Sequence, residues 1–231
     1  MHLSPAVDKT PRMSFVTEAG LLAKTGLNSD GVAVFMNAIL ARGIKFAALP
    51  MHVALRTVLE AETRLQAIAK LQFLTLGAAG HIMIAHRTGA TSLEFSHLDV
   101  IQMEMFEGQI AHTNHFLNRH DPRVIDSNIF SDSLERMTRV RELLREKRGN
   151  EVACGSEAVV LGDFMLQDEQ GFPTAINRKA SPVKDSETLF SIMVDLQEKT
   201  GIVKLGRPNE PEGIWILQPG KTHFHQARKQ N

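Results

Sequence analysis

The stretch GHIMIAHRTGATSLEFSHLDVIQMEMFEG, residues 80–108, limits the fold more than any other part of the chain. Apolar and polar residues alternate through three or four short runs rich in Ile, Thr, Leu, Val and Phe. Turn formers at 87–90, 96–99 and 107–108 separate the runs. Side chains of a strand point to opposite faces in turn, and strands joined by such short connections pair antiparallel. A chain holding this block must therefore build an antiparallel sheet.

The rest of the chain falls into blocks around it. Residues 13–39 read as strand, turn, strand, with Asn28, Ser29, Asp30 and Gly31 as a hairpin turn. Pro50 opens a helical pattern carried by Val53, Leu55, Val58 and Leu59, and a second begins at Thr63. After the sheet block, SDSLERMTRVRELLREKRG is the clearest helix, with Leu134, Met137, Val140 and Leu144 on one face and Gly149 after a basic last turn. SEAVVLGDFMLQDEQ continues helical, and residues 188–219 give three strands turning at 199–201 and 209–213. Strands, two helices, strands, two helices, strands: segregated blocks of this kind specify an α+β fold with mostly antiparallel sheets. The 231 residues are expected to form one domain, 1–231, with flexible ends at 1–12 and 219–231.

Composition removes whole classes of function. Lysine plus arginine equals aspartate plus glutamate at 26 each, so no overall charge draws the chain to nucleic acid or a membrane surface. No apolar run approaches the roughly 20 residues of a spanning helix. The opening MHLSPAVDKTPRMSF has neither the apolar core nor the cleavage site of a secretory signal. One cysteine, Cys154, excludes an internal disulfide and fits a reducing compartment, so a cytoplasmic location is expected.

The densest chemistry lies in GQIAHTNHFL, residues 108–117, which reads as the polar end of a strand. Metal ligands, oxyanion donors and ordinary strand-end polarity compete for it. His112 and His115 stand three apart, which on a strand sends the imidazoles to opposite faces, so they do not chelate, and no metal is expected. Asn114 is open to two readings, a neutral N–H donor for a developing oxyanion or a turn asparagine. Asn37, after an apolar run, is an amide that needs partners or a ligand. Cys154 is either a nucleophile or a small buried residue at a helix start. His223 and His225 read as a solvated tail, and phosphate loops, serine nucleophile elbows and Cys-x-x-Cys are absent from the sequence.

Six stretches in order, FVTEAGLLAKTGLNSDGVAVFMNAI, PMHVALRTVLEA, LEFS, HTNHFL, TLFSIMVD and VKLGRP, resemble the fungal acyl-coenzyme A:6-aminopenicillanate acyltransferases (isopenicillin N acyltransferases). The resemblance covers about residues 13–218. It implies the fold of the N-terminal nucleophile hydrolases, an αββα sandwich of two mostly antiparallel sheets between helical layers. It also implies their chemistry: a precursor cuts itself before a cysteine, whose thiolate takes an acyl group and passes it to an amine or to water. By position, Asn114 matches the family's oxyanion asparagine and Asn37 a second asparagine of the pocket, while Thr113 and His112 shape the wall for substrate.

The same resemblance puts the cysteine upstream of the strand at residue 13. Met1 is not that cysteine and Cys154 lies far beyond it, so the chain is expected to match the larger C-terminal fragment, without the first strands. A separate or missing N-terminal fragment carrying the cysteine is the implied partner, beside a small-molecule acyl donor and an amine acceptor. Acyl-coenzyme A enters as substrate and no cofactor is expected. Where the penicillin enzymes carry a Ser-Arg pair before Thr-Leu-Phe, this chain has Lys184, Asp185, Ser186 and Glu187, so the same substrate does not follow from the resemblance. The terminus RKQN is not a peroxisomal address of the Ser-Lys-Leu type. The alternative is a catalytically silent remnant that binds a ligand or partner through the same pocket.

Overall fold

The computed structural model describes residues 2–3, 10–72, 74–127, 132–146, 156–182 and 185–221; Cys154, Lys184, His223 and His225 lie outside them. Strands β1 (His2–Leu3), β2 (Met13–Val16), β3 (Thr25–Asn28), β4 (Ala33–Ala38) and β5 (Ala41–Arg42) come first, then helices α1 (Met51–Leu59) and α2 (Arg64–Gln72). Next are β6 (Gly80–His86), β7 (Gly89–Phe95), β8 (Val100–Glu104) and β9 (Ile125–Asp126), then α3 (Ser133–Glu146) and α4 (Ser156–Leu166). β10 (Phe190–Asp195), β11 (Thr200–Leu205) and β12 (Gly213–Leu217) close the chain. Seven strands form one antiparallel sheet in the order β1-β2-β3-β4-β6-β7-β8, three form a second, β10-β11-β12, and β5 pairs with β9. His2 and Leu3 pair with Ser14 and Met13 at the edge of the large sheet. The remaining residues of the two expected flexible ends are described only at 10–12 and 219–221.

Alternation decides what each sheet face covers. Met13, Phe15, Val32, Val34, Ile82, Ile84, Leu93 and Phe95 pack under Ala54, Leu55, Val58 and Leu59 of α1 and Ala67, Ile68 and Leu71 of α2. The opposite face meets the small sheet, where Leu27, Ala33 and Ala85 join Val203 and Leu217 with Phe35, Ile192 and Trp215 around them. Outside the small sheet lies α4, tied by Lys204 Nζ to Asp163 Oδ1 at 2.6 Å. The layers are therefore α, β, β, α.

The β3–β4 hairpin shows how local chemistry fixes the sandwich. Asn28 Oδ1 accepts from the N–H groups of Asp30 (3.0 Å) and Val32 (2.9 Å), and Gly31 takes φ +90° to close the turn. Its Nδ2 donates to the carbonyls of Leu59 and Ala61, at 3.0 and 2.7 Å, which binds the turn to the end of α1. At Gly26 a Cβ would overlap the Ser14 carbonyl and Phe15, so β2 and β3 approach only because that residue is glycine.

Three sequence expectations are corrected. Residues 13–28 form two antiparallel strands, β2 and β3, not one, because TEAGLLAK carries the chain out and back. On α3, Leu134 is exposed while Ser133, Met137 and Leu143 are buried, a face rotated toward the helix start by the contacts of Ser133. The stretch 108–117 is not a strand: after the Phe106–Gln109 bridge it forms no ladder with any of the described residues and runs as a bent strap.

Candidate active site

On the face of the large sheet turned away from α1 and α2, ladder pairing sets three polar residues in a row. Asn37 of β4 stands opposite His81 of β6, and His81 opposite Glu94 of β7. His81 Nδ1 lies 2.9 Å from Asn37 Oδ1, and its Nε2 lies 2.8 Å from Ser92 Oγ. A carboxamide oxygen only accepts, so Nδ1 carries the proton and Nε2 accepts from the Ser92 hydroxyl. Burial first, and the charge of His112 second, lower the His81 pKa to about 2, so the ring is neutral. It fixes Asn37 by its oxygen and leaves Nδ2 turned the other way.

Over this row lies the strap. His112 stacks flat on His81 with centroids 3.6 Å apart. Its Nε2 donates to Glu94 Oε1 (2.8 Å) and its Nδ1 to the Thr113 carbonyl (2.7 Å). Both nitrogens face acceptors, so both carry protons and the buried ring pairs with Glu94 as a cation. Glu94 also accepts from the N–H groups of Leu117 (2.6 Å) and Asn118 (3.1 Å), from Asn118 Nδ2 (3.0 Å) and from His120 Nε2 (3.4 Å). Burial alone would raise its pKa, but the hydrogen bonds from His112, Leu117 and Asn118 outweigh that and hold it at about 2. One carboxylate thus takes the place of the missing ladder.

The other side of the strap is held by the start of α3. The Asn114 N–H donates to Ser133 Oγ at 2.5 Å, and Thr113 Oγ1 donates to the Ser133 carbonyl at 3.1 Å. His115 Nδ1 lies 2.8 Å from the same hydroxyl. Arg136 Nη2 donates to Asn114 Oδ1 at 2.8 Å, and Asn114 Nδ2 donates to the carbonyl of Ala38 at 2.9 Å. Ala38 follows Asn37, so the two asparagines reach the same end of β4. Behind the strap, Ile110, Ala111 and Leu117 line a cavity of about 400 Å³ with Met103, Met137 and Leu144.

Of the four residues singled out in the sequence, Asn37 lies near the end of β4 and Asn114 reaches the same end through the Ala38 carbonyl. Thr113 is buried and bonded to Ser133, and the His112 side chain is buried between the strap and the sheet, so both hold the strap in place. His81, Glu94, Ser133 and Arg136 went unread; Glu94 had one signal, a carboxylate inside an apolar strand. Among the described residues no group of three or more His, Cys, Asp or Glu is arranged to hold a metal ion. Nor is any described helix long and apolar enough to cross a membrane.

Comparison with known proteins gives the family and the fold. Residues 6–210 match the family described as acyl-coenzyme A:6-aminopenicillanic acid acyl-transferase. The 40 kDa form of acyl-coenzyme A:6-aminopenicillanic-acid-acyltransferase from Emericella nidulans is 34% identical over 210 residues, which is 90% of this chain and 57% of that protein. The chain therefore spans little more than half of that relative's length. Among solved structures, penicillin V acylase from Agrobacterium tumefaciens matches with a TM-score of 0.53 at 12% identity, over 89% of this chain and 69% of that one. A variant of conjugated bile acid hydrolase from Clostridium perfringens matches with a TM-score of 0.59 at 10% identity, over 95% and 81%. These likenesses show the fold, that of the N-terminal nucleophile hydrolases. With it the sequence match decides the family: this chain belongs to the acyl-coenzyme A:6-aminopenicillanic acid acyl-transferases.

Proposed function

We propose that residues 37–38 and 112–114 form the oxyanion wall of an acyl-transfer site used in secondary metabolism. The supporting observation is that Asn37 sits near the end of β4 and Asn114 reaches the carbonyl of the next residue, Ala38, with each carboxamide oxygen tied back, by His81 and by Arg136. A thiolate attacking a thioester or amide carbonyl puts negative charge on the carbonyl oxygen. Carboxamide N–H groups fixed beside that oxygen stabilise the charge without burying a full charge in the free site. The tetrahedral intermediate then collapses, expelling coenzyme A thiolate or an amine and leaving an acyl thioester. An amine acceptor attacks next, and the cysteine is regenerated. The nucleophilic cysteine is supplied by a polypeptide segment other than the described residues. Acyl-coenzyme A acts as substrate, no cofactor takes part, and the cytoplasm is the proposed location.

The test is Asn114→Ala in the full-length natural gene product, with single-turnover acylation by phenylacetyl-coenzyme A followed by mass spectrometry. The acylation rate is expected to fall about 10²–10³-fold, the usual effect of losing one oxyanion donor. Near-normal acylation by the folded variant refutes the role of Asn114. The 231-residue chain alone is expected to give no turnover with 6-aminopenicillanate as acceptor. Turnover by that chain, abolished by Cys154→Ala, would instead make Cys154 the nucleophile. Binding without turnover by the full-length product would favour a silent ligand-binding role.

A further inference from the structure

Arginine carries donors and no acceptor, so the atom of Asn114 that faces Arg136 at 2.8 Å is necessarily the carboxamide oxygen. The contact therefore fixes which way round the amide sits from its oxygen side, as the Ala38 carbonyl, accepting from Nδ2 at 2.9 Å, does from its nitrogen side. Arg136 is itself held: Asp132 Oδ1 accepts from its Nε at 3.2 Å and from its Nη2 at 3.0 Å. Asp132 is almost fully buried, and the Arg178 guanidinium reaches the same oxygen. The backbone of Arg178 is fixed in turn by the Thr188 hydroxyl, which accepts its main-chain N–H at 2.9 Å. The side chain of Arg136 is 14% exposed, so water screens its charge little.

We propose that Arg136 is a positioning residue that sets both the orientation and the donor strength of the Asn114 carboxamide. A cation bonded to an amide oxygen draws electron density from the nitrogen, and linked hydrogen bonds polarise one another in a poorly screened site. The Nδ2 hydrogens become stronger donors, and the Asn114 oxygen is kept away from where like charge would develop. Arg136 does this without touching the reacting atoms. The inference rests on Asn114 being an oxyanion donor. A plain helix-start ion pair between Asp132 and Arg136 would account for the salt bridge but not for any property of Asn114.

The test reads Asn114 first and catalysis second. In the ¹⁵N-labelled chain, the Asn114 side-chain NH₂ signal, identified by its loss in Asn114→Ala, should shift or exchange-broaden in Arg136→Met. It should lie between the two positions in Arg136→Lys, which keeps the charge but not the planar fork, and stay in place in Arg141→Met on the same helix. If Arg136→Met does not fold, Arg136→Lys decides. An unmoved Asn114 signal in either folded variant overturns the proposal. In the full-length natural gene product, Arg136→Met should lower kcat for acylation about tenfold or more with KM unchanged, the effect of losing one charge-assisted hydrogen bond. Because Arg136 acts through Asn114, the double variant should be no slower than Asn114→Ala alone. A harmless Arg136→Met beside a damaging Asn114→Ala overturns this inference and spares the role of Asn114. A harmless Asn114→Ala removes both.

Discussion

Replacing Glu94 by glutamine keeps its shape and deletes its charge, which isolates the clamp that holds the strap. On one carboxylate oxygen sit His112 Nε2 and the Leu117 N–H; on the other sit the Asn118 N–H, Asn118 Nδ2 and, more distantly, His120 Nε2. Glutamine offers one oxygen, so whichever way its amide turns, one set of donors meets an NH₂ group instead of an acceptor. Each buried donor left unsatisfied costs about 1–3 kcal/mol. The cationic His112 also loses its buried counter-ion, and breaking such a pair costs about 3–5 kcal/mol. These effects overlap, so the expected loss is about 3–5 kcal/mol. The titration gives a similar scale: a carboxyl lowered by folding from 4.5 to about 2 contributes about 3 kcal/mol at neutral pH.

Urea unfolding of wild type and Glu94→Gln at pH 7 measures the difference, and hydrogen exchange at Leu117 and Asn118 locates it. The sign in pH follows from the lowered carboxyl. The unfolded chain takes up this proton below 4.5 while the folded chain resists it, so the wild-type advantage is complete above pH 4.5. It shrinks as the pH falls toward 2. A loss below about 1 kcal/mol, with the Leu117 and Asn118 amides as protected as before, would refute the clamp.

Two further outcomes follow from the same network. His81 is neutral in the fold and titrates near 6.5 when unfolded, so stability should fall by about 2 kcal/mol between pH 7.5 and pH 5, and His81→Phe should lose that dependence in parallel urea series. Ser133→Ala removes the acceptor of the Asn114 N–H and should cost about 1–2 kcal/mol, with faster exchange of that amide in NMR.

How much of this was legible depended on how local each cause is. The turns within 87–90 and 96–99, the helix opened by Pro50 and the three C-terminal strands are set by neighbours in sequence and form where periodicity and turn formers place them, except that the turn expected at 199–201 falls at 196–199, with Thr200 and Gly201 already paired in β11. The break at 17–24 was not legible, because TEAGLLAK has enough apolar residues to continue a strand and only the closeness of β2 to β3 at Gly26 turns it back. Asn37 and Asn114 stood out by residue type, but only the family resemblance set them in one pocket, since an amide in a sequence does not announce its partners. Glu94, His81 and Arg136 act across separations of 24, 44 and 22 residues, on Asn118, Asn37 and Asn114, and no period in the chain encodes those pairs.

The misreading of residues 108–117 is the instructive one. A strand ladder commits backbone N–H groups to a neighbour and projects side chains to alternate faces, which would have sent His112 and Asn114 to one face and Thr113 to the other. As a strap, the same residues divide differently. His112 faces down onto His81 and Glu94, Thr113 faces the Ser133 carbonyl, and Asn114 lies along the end of β4. A segment with no ladder must satisfy its buried polar groups through side chains, and that requires the very density of histidine, threonine and asparagine that made it resemble a ligand set. Polarity in this stretch therefore serves two ends: most of it replaces a missing ladder, and the rest sets the carboxamide of Asn114 against the end of β4, where the proposed site lies.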